Sequence, residues 1–301
     1  MRSNEEIKKT GATFTPPGLA NYLASLIVPE LNKSGLRILD PACGDGALLS
    51  AIDEVLKSSG KKGELTGIDI DSKYIEEAQV RMKSFGASAT FYQQDFLEGL
   101  LSQPDDLFTE NKENGSYDAI IANPPYVRTQ VLGAEKAQIF AKKFNLKGRV
   151  DLYFPFLIGM TQMLKEGGVL GVLTSNRYLS TKSGASIRKF LTENYDIIQV
   201  IDLGDTKLFD AAVLPAIFLG RKKSISQLGQ QRSARFIKVY EELKCRSYEY
   251  DAQDIFQVLN SNESGCYSVE DKKFNLSTGV FRYEHGSQEL WPMLTDEEND
   301  W

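Results

Sequence analysis

The chain has 301 residues, 42% of them hydrophobic and 25% charged, enough apolar material for one large α/β domain with an appendage or for two domains. No apolar run reaches the roughly 18 residues that a membrane span needs, and the N-terminus MRSNEEIKKTGATF lacks the apolar core of a signal peptide. His285 is the single histidine, and Cys43, Cys245 and Cys266 show no CxxC or Cys/His spacing, so a His-based triad and a metal site are excluded and a reducing, cytoplasmic setting is expected.

Taken in chain order, PPGLANYLASLIV (16–28) opens with prolines and is apolar at i, i+3/i+4, which predicts a packed helix. RILD (37–40) reads as a buried strand. It is followed by the helix GALLSAIDEVLKSSG (46–60), the strand ELTGID (64–69), the helix SKYIEEAQVRMKSFG (72–86) and the strand ATFYQQ (89–94). YDAIIAN (117–123) is the next strand, and 127–150 reads as a long, lysine-rich loop of the kind that is usually functional. Then come the helix DLYFPFLIGMTQMLKEGG (151–168), the strand GVLGVLT (168–174), the helix SGASIRKFLTEN (183–194) and the strands IIQVID (197–202) and AIFLG (216–220). Strands alternating with helices predict a doubly wound, mostly parallel, seven-stranded α/β sheet. The last two strands lie too close together for a helical crossover, so the last should enter antiparallel. Beyond about Arg221 the pattern turns irregular and acidic.

Net charge is −6 with a pI near 5.1, which at first speaks against nucleic acid. The distribution is uneven, however. Residues 123–190 carry eleven Lys/Arg against three acids, +8 in all, leaving −14 for the rest. A basic middle points weakly to a polyanion, and a solvated lysine-rich face explains it equally well.

The first strand runs into DPACGDGALL (40–49). Ligands of doubly wound sheets bind at the carboxyl ends of the strands, so Asp40, Pro41, Ala42, Gly44 and Gly46 are candidate cofactor contacts. The glycines let backbone approach a ligand, and the following helix start presents free N–H groups. The third glycine of a dinucleotide fingerprint is replaced by Leu49. Asp40 and Asp45 disfavour a pyrophosphate and favour a ligand with a cationic end, so S-adenosylmethionine fits better than NAD. In GIDID (67–71), Asp69 can accept both ribose hydroxyls, with Ile70 beside it as a further cofactor contact, while Asp71 caps the next helix. In QQDFLEG (93–99), Asp95 can accept from an adenine amino group with Phe96 at the ring. The plain alternative is a turn aspartate and a core phenylalanine.

The strand 117–123 ends in NPPY, Asn123 to Tyr126. A planar amine, whether on a nucleobase ring or in a carboxamide, is a poor nucleophile because its lone pair is delocalised. Two acceptors on its two N–H bonds localise that pair. The Asn123 side-chain oxygen and the Pro124 carbonyl can supply them, and the two prolines, Pro124 and Pro125, stiffen the turn. Tyr126 offers a face on which a base can stack, and a base in a duplex would have to be flipped out to reach it. The tetrapeptide dictates the type of nitrogen rather than the substrate, since enzymes acting on RNA guanine or on a protein glutamine amide carry similar turns.

The series GATFTPP, LDPACGDGALL, GIDID, QDF and NPPY, across roughly residues 11–220, resembles the adenine-N6 DNA methyltransferases of bacterial restriction–modification systems. The resemblance is to the group in which cofactor motifs precede the catalytic motif and a recognition domain comes last. It implies a Rossmann-like methyltransferase fold with S-adenosylmethionine as cofactor, and double-stranded DNA as partner. It also implies Thr15 as a cofactor contact and Phe156, in DLYFPFL, at the cofactor adenine, where periodicity alone makes Phe156 helix core. Phe209, in KLFDAAVLPAIF (207–218), becomes a second base partner, though on its own it reads equally well as core. The expected division is a cofactor-capping segment at 1–32, a methyltransferase domain at 33–222 and a connector at 223–301. That connector would lead toward a recognition domain that is missing or supplied by a separate chain. A non-catalytic subunit needing a partner is the contrasting expectation.

Overall fold

The structure, a computed structural model, describes residues 14–99, 115–125, 153–206, 208, 214–224, 232–243, 249–261 and 263–295. The chain divides into two compact units, Met1–Thr174 and Ser175–Trp301.

In the first unit, helix α1 (Pro17–Ile27) has proline at its first turn and buries Leu19, Ala20, Leu23, Ala24 and Ile27 along one stripe, the face its spacing predicts. The strands are β1 (Leu36–Asp40), β2 (Gly63–Asp69), β3 (Ala89–Gln93), β4 (Tyr117–Ala122) and β5 (Leu164–Ser175). They lie in the order β3-β2-β1-β4-β5, and every pair is parallel. Crossovers α2 (Ala47–Ser58) and α3 (Ser72–Ser84), the single turn α4 (Phe96–Gly99) and α5 (Tyr153–Met163) connect them. All six residues of β4 are buried, as expected of a central strand covered on both faces. At the strand starts, the buried Asp118 accepts from Lys33 Nζ (2.7 Å), Lys165 Nζ (3.0 Å) and the Arg37 N–H (2.9 Å). Burial pushes this carboxyl up, but those three donors outweigh it and hold the group below the ordinary range.

One boundary differs from the periodicity. The helix predicted to reach residue 168 ends at Met163, and β5 begins at Leu164. Tyr117 pairs with Leu164 and Ala119 with Val169, so the Lys165–Gly168 stretch is a bulge inside the strand. Gly167 has φ +75 there, and the KEGG stretch that mimics a helix stop is a bulge between Leu164 and Val169, both paired with β4.

The second unit holds α6 (Arg177–Ser180), a 3-10 turn at Lys182–Gly184, α7 (Ala185–Asn194) and the strands β6 (Tyr195–Asp202) and β7 (Pro215–Lys222). β6 and β7 are antiparallel, as their short separation required. The reading of an irregular region beyond Arg221 is overturned. β8 (Arg232–Glu241), β9 (Glu249–Asp251), α8 (Ile255–Leu259), β10 (Gly265–Val269) and β11 (Lys272–Tyr283) follow, and the strand order is β7-β6-β8-β11-β10-β9. In β11, KKFNLSTGVFRY mixes small and polar residues with apolar ones, so its period-2 pattern is faint, and ten cross-strand pairs with β8 hold it instead.

Arg188 anchors this unit. Only 2% exposed, it donates to the carbonyls of Gln288, Glu289, Thr181 and Tyr178, tying the 287–291 segment to α7. Trp291 stacks on Phe281 at 5.3 Å and meets Tyr178 edge-on at 5.9 Å. Cys266 is disulfide-bonded, whereas Cys43 is a buried free thiol. Among the described residues no helix is long and apolar enough to cross a membrane, and no cluster of His, Cys, Asp and Glu can hold a metal.

Candidate active site

The carboxyl ends of β1 and β4 in the first unit, with the turn after β1 and the segment at Phe14–Thr15, build one pocket. After β1 the chain turns at Pro41–Asp45 into α2. Two glycines make this turn possible, Gly44 at φ +50 and Gly46 at φ +80, a region that other residues rarely enter. At Gly46 the absence of a Cβ also lets the turn close on α3, because a Cβ there would lie 3.0 Å from that of Ala78. The turn is held from β2: the Cys43 N–H donates to the Ile68 carbonyl (2.9 Å) and the Gly44 N–H to Asp69 Oδ2 (2.9 Å).

The pocket is lined by Phe14, Thr15, Asp40, Ala42, Gly44 and Asn123, with Cys43, Asp45, Ala47 and Leu48 completing its wall. Asp40 is fully buried. Its Oδ1 accepts from the Ala42 N–H (3.2 Å), whereas Oδ2 has no hydrogen-bond partner among the described residues. Burial pushes the Asp40 carboxyl well up, and the nearby Asp69 and Asp45 add to that. Such an oxygen on a pocket wall asks for a cationic donor. Around Gly44 the space where a Cβ would project meets nothing nearer than the Phe14 ring at 3.9 Å, so a ligand can approach the backbone. This chemistry fits the amino-acid end of S-adenosylmethionine.

Asn123 is the first residue past β4. Asn123, 9% exposed, donates from Nδ2 to Thr15 Oγ1 at 3.0 Å, and Thr15 is 8% exposed. Pro124 is buried and Pro125 half-buried. Thus Thr15, Asp40, Ala42, Gly44 and Asn123, five positions read from sequence, meet in one place. Tyr126 and Phe209 lie outside the described residues.

Other predicted positions support the pocket or sit beside it. Pro41 is buried in the turn. Asp69 has one oxygen on Gly44 and the other on the Asp71 N–H (3.0 Å), so this carboxylate already holds the turn, with lone pairs left for further donors. Burial pushes its carboxyl up, against those N–H bonds. Ile70, next in chain, is 66% exposed. Asp71 caps α3 through the Lys73 N–H as expected. Asp95 Oδ1 accepts from the Leu97 and Glu98 N–H groups and caps α4. Phe96 and Phe156 come together, stacked at 5.4 Å and 23°, both buried.

Two features escaped the sequence reading. Asp45 is paired with Arg81, which also donates to the Asp45 carbonyl at 2.9 Å, so the cation preference of the turn rests on Asp40 alone. Phe14 is 43% exposed on the pocket rim and meets Tyr74 edge-on at 5.2 Å. Its place beside Thr15 in GATFTPP was the only signal available.

Residues 62–209 match the Eco57I restriction-modification methylase family. The Type II methyltransferase M.BanIII of Aneurinibacillus aneurinilyticus is 46% identical over 309 residues, 98% of this chain and 53% of that protein. The chain is a homologue of bacterial restriction–modification methyltransferases. M.BstVI of Geobacillus stearothermophilus, also a Type II methyltransferase, is 27% identical across 99% of this chain and 55% of its own length. The chain therefore spans about half the length of the curated relatives it matches. A Listeria monocytogenes structure described as a class I S-adenosylmethionine-dependent methyltransferase superposes with a TM-score of 0.57 at 25% identity, covering 72% of this chain and 63% of that one. The fold is that of class I methyltransferases.

Proposed function

We propose that this chain is the cofactor-binding and catalytic part of a Type II restriction–modification enzyme that methylates the N6 amino group of an adenine flipped out of DNA. The observation that carries the reading is the meeting of Asn123 with Asp40 and Gly44 in one pocket. An amide at the end of β4 thus lies beside the wall that suits the cofactor's amino-acid end. Homology to Type II methyltransferases supports DNA as the substrate.

S-adenosylmethionine, when bound, supplies a methyl group on a sulfonium. Asp40 would hold its ammonium, Gly44 would let it approach the turn, and Asp69 with Ile70 would hold its ribose and border its adenine. Asn123 Oδ1 and the Pro124 carbonyl accept from the two N–H bonds of the target amine. This raises the amine's electron density without a base, since an amide takes no proton. The mechanism is positioning with electrostatic stabilisation. Tyr126 and Phe209 remain the proposed stacking partners of the flipped base.

The test is transfer of labelled methyl from S-adenosylmethionine by the full-length protein to unmethylated DNA, ribosomal RNA or release factor, followed by nucleoside analysis. Label in N6-methyladenine of DNA is expected, and Asn123→Ala should reduce it at least about 100-fold while leaving cofactor affinity within about threefold. Label in RNA or protein alone would overturn the reading.

A further inference from the structure

Thr15 enters the pocket from a segment that the family resemblance assigns to cofactor contact, yet the polar partner the structure gives it is the amide of Asn123, 108 residues away. Both residues are almost fully buried, and the bond, at 3.0 Å, runs from Asn123 Nδ2 to Thr15 Oγ1. The direction matters chemically. A carboxamide has one accepting and one donating pole, and a half-turn about its last bond exchanges them at almost no steric cost. An amine awaiting methylation presents N–H donors. It is polarised only by the oxygen pole, and a flipped Asn123 would set donor against donor.

We infer that Thr15 is a positioning residue for methyl transfer: by accepting from Nδ2 it holds the Asn123 amide with its oxygen as the pole turned toward the substrate amine. The inference rests on the proposed function. A hydroxyl can also donate, so acceptance has to be favoured. Thr15 lies on the wall of the cofactor pocket, and a pocket ligand with an acceptor at that wall takes the hydroxyl proton. The oxygen then can only accept, and a hydroxyl whose proton is engaged is also a better acceptor. Filling the pocket therefore sets the amide before the base arrives.

The experiment compares Thr15→Val, which keeps the shape and removes the hydroxyl, with Thr15→Ser, which keeps the hydroxyl, and with Asn123→Ala, all in the full-length protein. Single-turnover methyl transfer to unmethylated plasmid DNA at saturating S-adenosylmethionine should fall roughly 10- to 100-fold in Thr15→Val and recover to within about threefold in Thr15→Ser. Cofactor affinity, measured by calorimetry, should fall by no more than about tenfold in Thr15→Val, the loss of one hydrogen bond, and stay within about threefold in Thr15→Ser.

An unchanged rate in Thr15→Val with an inactive Asn123→Ala would overturn the inference and leave the proposed function standing. An active Asn123→Ala would overturn the function itself. A Thr15→Val whose only defect is weak cofactor binding would make Thr15 a cofactor contact instead, again against the inference. Asn-selective ¹⁵N labelling gives a second readout that needs no turnover. The Asn123 side-chain amide, identified by its loss in Asn123→Ala, should shift and exchange faster in Thr15→Val but not in Thr15→Ser; no difference between the two would also overturn it.

Discussion

At the scale of single residues, Asp40 on the pocket wall costs the empty fold stability. Its Oδ2 is buried without a hydrogen-bond partner among the described residues, and burial, with Asp69 and Asp45 adding to it, raises its carboxyl well above the usual range. The sign follows by linkage. An unfolded aspartate ionises near pH 4, while the folded one keeps its proton to higher pH. The cofactor-free protein therefore loses stability as pH rises from about 4 to the folded-state value, and the loss is complete above it. Asp40→Asn should remove that decline, seen as a urea midpoint that stays flatter with pH than the parent's. It should also weaken S-adenosylmethionine binding roughly tenfold, about 1.4 kcal/mol. Parallel stability curves for parent and variant would show that Asp40 carries no such penalty.

At the scale of elements, the turn between β1 and α2 depends on its close approach to α3. Gly46→Ala places a Cβ 3.0 Å from the Ala78 Cβ and 3.1 Å from its Cα, at a backbone φ of +80. Overpacking and strain together should cost about 1–3 kcal/mol. Because the same turn carries Gly44 and Ala42 into the pocket, cofactor affinity should fall along with the melting temperature. Much of this region was legible beforehand. The apolar stripe of α1, the glycine-closed helices and the strand that ends at Asn123 all follow from local periodicity and turn residues. The β5 boundary was not, because KEGG after an apolar run looks like a helix stop, and only pairing of Leu164 with Tyr117 makes it strand. Nor were β8 to β11, whose polar and small residues are held by cross-strand partners rather than by an apolar rhythm.

At the scale of the whole molecule, each of the two units has its own anchor, Asp118 with its three donors in the first and Arg188 in the second. Burial lowers the Arg188 pKa, but a guanidinium stays charged, and backbone carbonyls satisfy it. Arg188→Ala strips donors from the Gln288 and Glu289 carbonyls and should cost about 3 kcal/mol. Arg188→Lys should rescue little, since an ammonium lacks the planar fork. Hydrogen exchange should accelerate at 285–291, while S-adenosylmethionine affinity, which the proposed function assigns to first-unit residues, should stay within about twofold. A matching loss of cofactor binding would contradict that separation.

The sequence by itself determined the alternation of strands and helices, the antiparallel β7 and the residue types at each strand end, because neighbours a few positions apart encode them. The nitrogen chemistry proposed for the Asn-Pro-Pro turn is likewise a reading of its residue types. Only the tertiary structure decided that Thr15 bonds Asn123, that Phe96 stacks on Phe156, that Arg81 takes the charge of Asp45, and that Asp40 keeps one carboxylate oxygen without a hydrogen-bond partner among the described residues. Each of these depends on which distant side chains close packing brings within reach, and no local period records that.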